Sequence, residues 1–323
     1  MGMTDTVTKE YMRGNRVFAD AFNYLIYGGA RVVKPELLQE LDTTEIAILF
    51  ALGEENTNEE AFQKYRDVLK STVIMQDTTA SYILLGIEDQ TDVHYAMPVR
   101  NIIYDALQYG KQVSEVAKKH KNQADRKGHN KAEYLSGFYK EDRIRPVVTL
   151  VVHFGADEWD GPLSLCEMMD LKDERLLEFV QDYRIFLIDP YKLTANDLEK
   201  FSSSLGDVLG YIKYSKDKKA LSKFLNDSKA MIMDNDAARV IRDITNTPIY
   251  VPDGKGEIDM CKAVKDMLDE SKTKGLAEGR AEGFNQLSKL IELLSDEERY
   301  ADIKKIAKDA AYRDMLMKEY NLI

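Results

Sequence analysis

The chain has 323 residues, 44% of them apolar and 31% charged, with a formal net charge of −11. That length accommodates one large domain or two. The negative charge argues against a protein that coats nucleic acid non-specifically, because phosphate binding is driven by clustered Lys and Arg; local basic patches are left open.

Residues 1–15 are polar and are expected to be loose. In "NRVFADAFNYLIYGG" the residues Val17, Phe18, Ala21, Phe22, Leu25 and Ile26 fall at helical spacing, ended by Gly28-Gly29. Pro35 suits a first helical turn, and 53–60 reads as an exposed loop. The apolar runs "YRDVLKSTVIM" and "SYILLGIE", joined by "QDTTA", are rich in β-branched and aromatic residues and carry the signature of a β-hairpin. A helix is predicted from about Met97 to Lys119, followed by the basic insertion "KKHKNQADRKGHNK". "RPVVTLVVHFG" and "DYRIFLID" read as buried strands. Strands alternating with helices predict an α/β domain over 16–217. Residues 218–323 are expected to be a helical region, with two short helices at roughly 284–295 and 297–320. Within that region "GLAEGRAEG" sets Gly275, Gly279 and Gly283 on one helical stripe, which suits either close helix–helix approach or a flexible linker.

The two cysteines, Cys166 and Cys261, lie far apart and form no disulfide framework, which points to a reducing, cytoplasmic compartment. The four histidines form no HxxxH or HEXXH pattern, so a zinc site is not expected. The longest apolar stretch, "VVTLVVHF", is too short to span a bilayer.

The hairpin carries the chemistry. If its turn centres between Asp77 and Thr78, residues whose numbers total 155 face one another, and Asp67 lies opposite Glu88. Like charges in that position are destabilising unless a cation lies between them or one pKa shifts. Gln90 projects from the same face as Glu88. Asp67, Glu88 and Gln90 can therefore converge, and two carboxylates suit Mg²⁺, which takes oxygen ligands and keeps several waters. A one-residue change of register breaks that match. In the bland alternative Asp67 is a strand-end residue paired with Arg66 or Arg100, and Glu88 is exposed.

The stretch "YRDVLK … YILLGIEDQTDVHYAMPVRNIIYDALQY" closely resembles the recombination-promoting nuclease (Rpn) / putative transposase family, a branch of the PD-(D/E)XK nucleases. The elements that match are Arg66-Asp67 on one strand, Ile87-Glu88-Asp89-Gln90 on the next, and Met97-Pro98-Val99-Arg100 with Tyr104 on a helix. "FADAFNYLIYGG" looks like the family's first helix and "GRAEG" like its C-terminal tail. The resemblance covers most of 15–215. It implies a restriction-endonuclease-like core, a mixed sheet flanked by helices. It also implies that Asp67 and Glu88 ligate Mg²⁺ or Mn²⁺ and that DNA phosphodiesters are hydrolysed, in recombination or in defence. Gln90 stands where most of the superfamily has Lys, which removes a cation from the transition state, and Tyr65 stands at the approximate Pro position. Asp20 is the first-helix acid that would complete the site, against the alternative of a helix-surface Asp. Arg100 either holds a phosphate, orients Glu88, or pairs structurally with an acid. Tyr104 suits core packing.

DNA contacts are expected from the basic run Lys118, Lys119, Lys121, Arg126, Lys127 and Lys131, with "YIKYSKDKK" (211–219) as a second patch. The competing readings are an active Mg²⁺-dependent endonuclease, a nuclease-like DNA-binding protein that no longer cleaves, and a chain whose C-terminal helices make it a homo-oligomer.

Overall fold

The computed structural model describes residues 3–41, 68–76, 79–123, 129–155, 157–170, 173–227 and 231–323. Two compact units divide the chain, Met1–Met260 and Cys261–Ile323. The first is α/β, built on a mixed five-stranded sheet.

Helices α1 (Met3–Arg13) and α2 (Asn15–Tyr27) open the chain. Thr8, Tyr11 and Met12 are buried, so the segment expected to be loose is a docked helix. The amphipathic spacing that signals α2 gives the right element, and Gly28 ends it in the left-handed conformation at φ 61°. The sheet strands are β1 (Gln39–Glu40), β2 (Val68–Gln76), β3 (Thr79–Gln90), β4 (Val147–His153) and β5 (Phe186–Ile188), in that spatial order. β1, β2 and β3 pair antiparallel, and β3, β4 and β5 pair parallel.

The hairpin register is the one the turn chemistry predicts: Val68 pairs with Ile87, Leu69 with Gly86, and so on to Gln76 with Thr79. Partner numbers total 155 throughout. Because side chains alternate along a strand, Val68, Lys70 and Thr72 share one face with Leu85 and Ile87, while Leu69 and Ser71 share the other with Leu84, Gly86, Glu88 and Gln90.

The Lys70 face meets the N-terminal helices. Lys70 is buried, its ammonium donates to the Arg13 carbonyl and to Asn15 Oδ1 (2.6 Å), and it lies 5.0 Å from the centre of the Phe18 ring. Burial holds this lysine below its ordinary pKa, against the opposing pull of Glu40. The opposite face is covered by α3 (Met97–Gln123): Thr149 Oγ1 donates to Asp105 Oδ1 (2.5 Å), and Met97 packs with Val151, Trp159 and Ile185. After α3 come α4 (Lys131–Ser136) and, beyond β5, α5 (Ala195–Leu198), α6 (Leu205–Tyr214) and α7 (Lys218–Asp227). The antiparallel pair β6 (Ile232–Asp234) and β7 (Glu257–Asp259) flanks α8 (Asn235–Thr245) in sequence. α8 buries Ala237, Ala238, Val240 and Ile241 and packs against α1 and α6. That apolar face carries the first unit to Met260, past the boundary at 217 drawn from composition.

In the second unit α9 (Met260–Asp296) is one helix of 37 residues, followed by α10 (Tyr300–Ile306) and α11 (Ala310–Glu319). The expected helix start near 284 is corrected, because the glycines do not interrupt α9. A Cβ added at Gly275, Gly279 or Gly283 would meet nothing within 4 Å, so the stripe is neither a linker nor packed against a described helix. Leu290, Leu294, Ile306, Leu316 and Met317 make a small core of their own. Arg299 ties its rim together, donating to Asp302 Oδ2 (2.7 Å) and to the Tyr320 hydroxyl (2.9 Å).

Among the described residues no helix is long and apolar enough to cross a membrane.

Lys70→Ala removes the charged donor that holds the α1–α2 junction to the sheet. We expect it to cost about 2 kcal/mol, in the range for hydrogen bonds to charged groups. Urea unfolding followed through Trp159, the chain's one tryptophan and a buried one, reads the change; an unchanged midpoint contradicts the assigned role.

Candidate functional site

Glu88 lies near the end of β3, one strand in from the edge pair, on the sheet face that α3 covers. Its side chain is fully buried, and its Oε2 is 3.0 Å from Arg100 Nη2. Arg100 Nε donates to the Tyr104 hydroxyl at 2.9 Å, one helical turn along. The guanidinium therefore joins a buried carboxylate to a buried phenol. Of the three roles open to Arg100 in the sequence, structural pairing with Glu88 is the one observed; the exposed-Glu88 alternative is excluded. Tyr104 is a core residue with its hydroxyl in use. A charge pair taken out of water is costly, and removing one partner costs about 3–5 kcal/mol because the other stays buried and uncompensated.

Gln90 projects from the same face as Glu88, as expected, and its Nε2 donates to the Asp89 carbonyl at 3.0 Å. Its own carbonyl accepts from Phe154 N at 2.7 Å, and His153 Nδ1 lies 3.2 Å away. His153 Nε2 in turn sits 2.8 Å from the Asp157 carbonyl. The buried imidazole thus links the end of β3 to the loop beyond β4. Gly155 makes room for it: a Cβ there would lie 2.3 Å from the ring and 2.6 Å from the Thr91 carbonyl. Asp67 lies outside the described residues. The register from which the sequence places it opposite Glu88 is nonetheless the register of β2 and β3.

Two polar groups around Arg100 lack a described hydrogen-bond partner. Asn101, fully buried, has none at Oδ1 or Nδ2, and His94 has none at Nδ1. Buried polar groups are usually hydrogen-bonded. His94 precedes α3, and its carbonyl accepts from Met97 N at 3.0 Å. Burial first, and then the Arg100 charge, hold its imidazole below the ordinary value of 6.5. Sequence reading missed both residues. His94 shows no ligand spacing, and Asn101 looks like any polar helix position until the sheet covers it.

Asp20 is buried, and all its acceptor positions face one segment. Its carboxylate accepts from Ser202 N (2.9 Å) and Oγ (2.8 Å), and from Ser203 N (2.8 Å) and Oγ (2.7 Å). It sits on α2, over the Lys70 face, whereas Glu88 projects from the other. The structure thus gives Asp20 the work of anchoring the turn before α6 and does not bring it to Glu88. It also shares a cavity of about 330 Å³ with Arg16, Arg31 and Lys34, three exposed cations scattered in sequence.

The basic run is less concentrated than it reads. Lys118, Lys119 and Lys121 are exposed on the last turns of α3, about 27 Å along the helix from Arg100 at 1.5 Å per residue. Arg126 and Lys127 lie outside the described residues, and Lys131 opens α4. In the patch at 211–219 Tyr211 is core, Lys213 donates to the Tyr191 carbonyl (2.8 Å) and Lys216 pairs with Asp157, while Lys218 and Lys219 are exposed.

His94 gives a pH signature. Its folded pKa is lowered, so the unfolded chain takes up a proton first as pH falls through 6.5. Stability therefore declines with acid in the window just below 6.5, and is unaffected by this group above it. An NMR titration of His94 is expected to give a midpoint below 6.5, moving upward in Arg100→Leu, which removes the lowering charge and leaves burial. A midpoint at or above 6.5 in the wild type rejects this environment. Comparison of the chain with family models, with curated proteins and with solved structures returns no match.

Proposed function

We propose that the chain is a Mg²⁺-dependent DNA endonuclease with a PD-(D/E)XK-like core. The observation that carries this reading is the hairpin register, which sets Glu88 and Gln90 on one face in the pairing that the Asp67–Glu88 match requires. The strand order adds support: an antiparallel hairpin whose second strand continues in parallel with β4 and β5 leaves Glu88 and Gln90 at the carboxyl end of β3.

The donor chemistry suits a hard cation. Glu88 contributes a carboxylate and Gln90 an amide oxygen, with Asp67 as the second acid. When bound, Mg²⁺ or Mn²⁺ supplies a water of lowered pKa and neutralises phosphate charge. The chain's own residues do the rest. Arg100 pairs with Glu88 at 3.0 Å and orients its carboxylate. Gln90 orients a water through its amide without offering charge, so turnover is slow compared with a lysine-bearing site. His94, neutral beside Arg100, can accept a proton at neutral pH. Arg16, Arg31 and Lys34, with Lys118, Lys119 and Lys121, are exposed cations that could contact DNA phosphates.

One observation favours a second reading, a nuclease-like protein that binds DNA without cutting it. Glu88 already has a counter-ion in Arg100 at 3.0 Å and no exposure. A metal must share or displace that pairing.

Nicking of supercoiled plasmid with Mg²⁺ or Mn²⁺ separates the two. The endonuclease predicts cutting by the wild type and at least a hundredfold loss in Asp67→Asn and in Glu88→Gln, each removing a charge without removing volume. Equal cutting by all three overturns the site. DNA binding without cutting selects the second reading. The proposal also includes self-association through the glycine stripe of α9. Replacing Gly275, Gly279 and Gly283 by Leu should lower the mass measured by sedimentation equilibrium, and an unchanged mass rejects that part.

A further inference from the structure

Remote from Glu88, three residues without a shared sequence motif come together beyond the end of α3. His129, Glu133 and Glu141 each present a ligand atom, and these atoms all lie within 4.8 Å of one another. We propose that they form a binding site for a divalent transition metal, with Zn²⁺ as its occupant. This inference is independent of the nuclease reading.

Two of the three side chains are held in place by groups that are not ligands. Asn130 caps α4, accepting from Ala132 N (2.9 Å) and Glu133 N (3.0 Å), while Glu133 Oε2 accepts from Asn130 N (2.8 Å). Glu133 Oε1 accepts from Lys140 N at 3.0 Å, across the turn. Those backbone donors, Asn130 first and then Lys140, keep the Glu133 pKa below the ordinary carboxylate value, so its oxygens are anionic. Each oxygen retains a lone pair for a cation. The His129 ring stacks on Tyr139 at 3.8 Å between centres, and His120 stacks on the same phenol at 3.7 Å. Two rings that close to one centre must take opposite faces, so Tyr139 is clamped between them. His120 is itself fixed by Asp142, at 2.9 Å. Gly137 makes the turn, at φ 67°, and lies so close to Ala117 of α3 that a Cβ would approach it to 2.9 Å. The segment carrying all three ligands is thus seated on α3. Orientation of ligands by such outer contacts is what distinguishes a metal site from a chance cluster.

His129 Nδ1 and Glu133 Oε2 are 3.8 Å apart, too far for a hydrogen bond and close to what a metal requires. Tetrahedral ligands at 2.0–2.1 Å from Zn²⁺ stand about 3.4 Å from one another. Glu141 is exposed and free to rotate through the remaining distance. One imidazole and two carboxylates neutralise a dication, and the imidazole disfavours Mg²⁺ and Ca²⁺, which prefer all-oxygen sites. The fourth position is open to water.

The test is isothermal titration calorimetry of ZnCl₂ into the chelator-stripped full chain. With excess Mg²⁺ present to occupy the hairpin, one equivalent should bind, with affinity reduced at least tenfold in His129→Ala and in Glu141→Gln. Glu141 is a surface residue, so Glu141→Gln tests ligation without threatening the fold. No Zn²⁺ binding by the wild type overturns the site. So does wild-type affinity in both ligand variants, or a loss confined to Glu88→Gln, which would move the ion to the hairpin.

Discussion

The pairing of β2 with β3 is the constraint on which the rest of the first unit hangs. Side chains alternate along a strand, so a slip of one residue would exchange the two faces of the hairpin. Lys70 would leave the α1–α2 junction, and Glu88 would turn away from Arg100. The register is held from both sides by charges that can be satisfied in only one way. A buried ammonium needs the Arg13 carbonyl and Asn15, and a buried carboxylate needs a guanidinium. Apolar residues alone would tolerate alternatives that these two groups exclude.

The same strand sets the polarity of the sheet. β3 completes an antiparallel hairpin on one side and starts a parallel array on the other. Its carboxyl end is therefore where the chain must leave the sheet to begin α3, and the polar run Glu88-Asp89-Gln90 falls there. α3 then returns over the face from which Glu88 points, bringing Arg100, Asn101 and Tyr104 back onto it within two turns. The Asn101 amide, with no hydrogen-bond partner among the described residues, and His94, with its lowered pKa, lie at this tight return. A helix laid directly over a charged strand end has few apolar ways to fill the space. A well-satisfied core would have been more stable, and the retained polar groups are the feature that sets this region apart from an ordinary strand-to-helix corner.

The second unit follows a different logic. α9 runs for 37 residues with apolar positions buried at its two ends, Met260 and Val264 at the first and Leu290 and Leu294, which meet Ile306, Leu316 and Met317, at the last. Arg299 and Tyr320 close this small core with a cluster of hydrogen bonds. The glycine-bearing middle of α9 contributes nothing to it. Those glycines cost helix stability without packing against anything described, and the proposed self-association is the use suggested for them.

By itself the sequence determined the local elements and one long-range fact. The periodicity of 17–26, the turn at Gly28, the β-branched runs around Asp77–Thr78 and the apolar run of 147–152 each specify an element through the backbone preferences of their own residues. The turn position also fixed the hairpin register, because a short antiparallel loop leaves only one pairing. What the sequence could not determine was which faces meet. That Arg100 spends its charge on Glu88, that Asp20 is spent on Ser202 and Ser203, and that residues 3–13 dock as a helix all depend on contacts between segments remote in sequence. Composition gives no access to them. The same holds for the domain boundary, set by the apolar face of α8 packing on α1, while His129 and Glu133, four residues apart, are joined by Glu141 through a cap, a glycine turn and a clamped tyrosine.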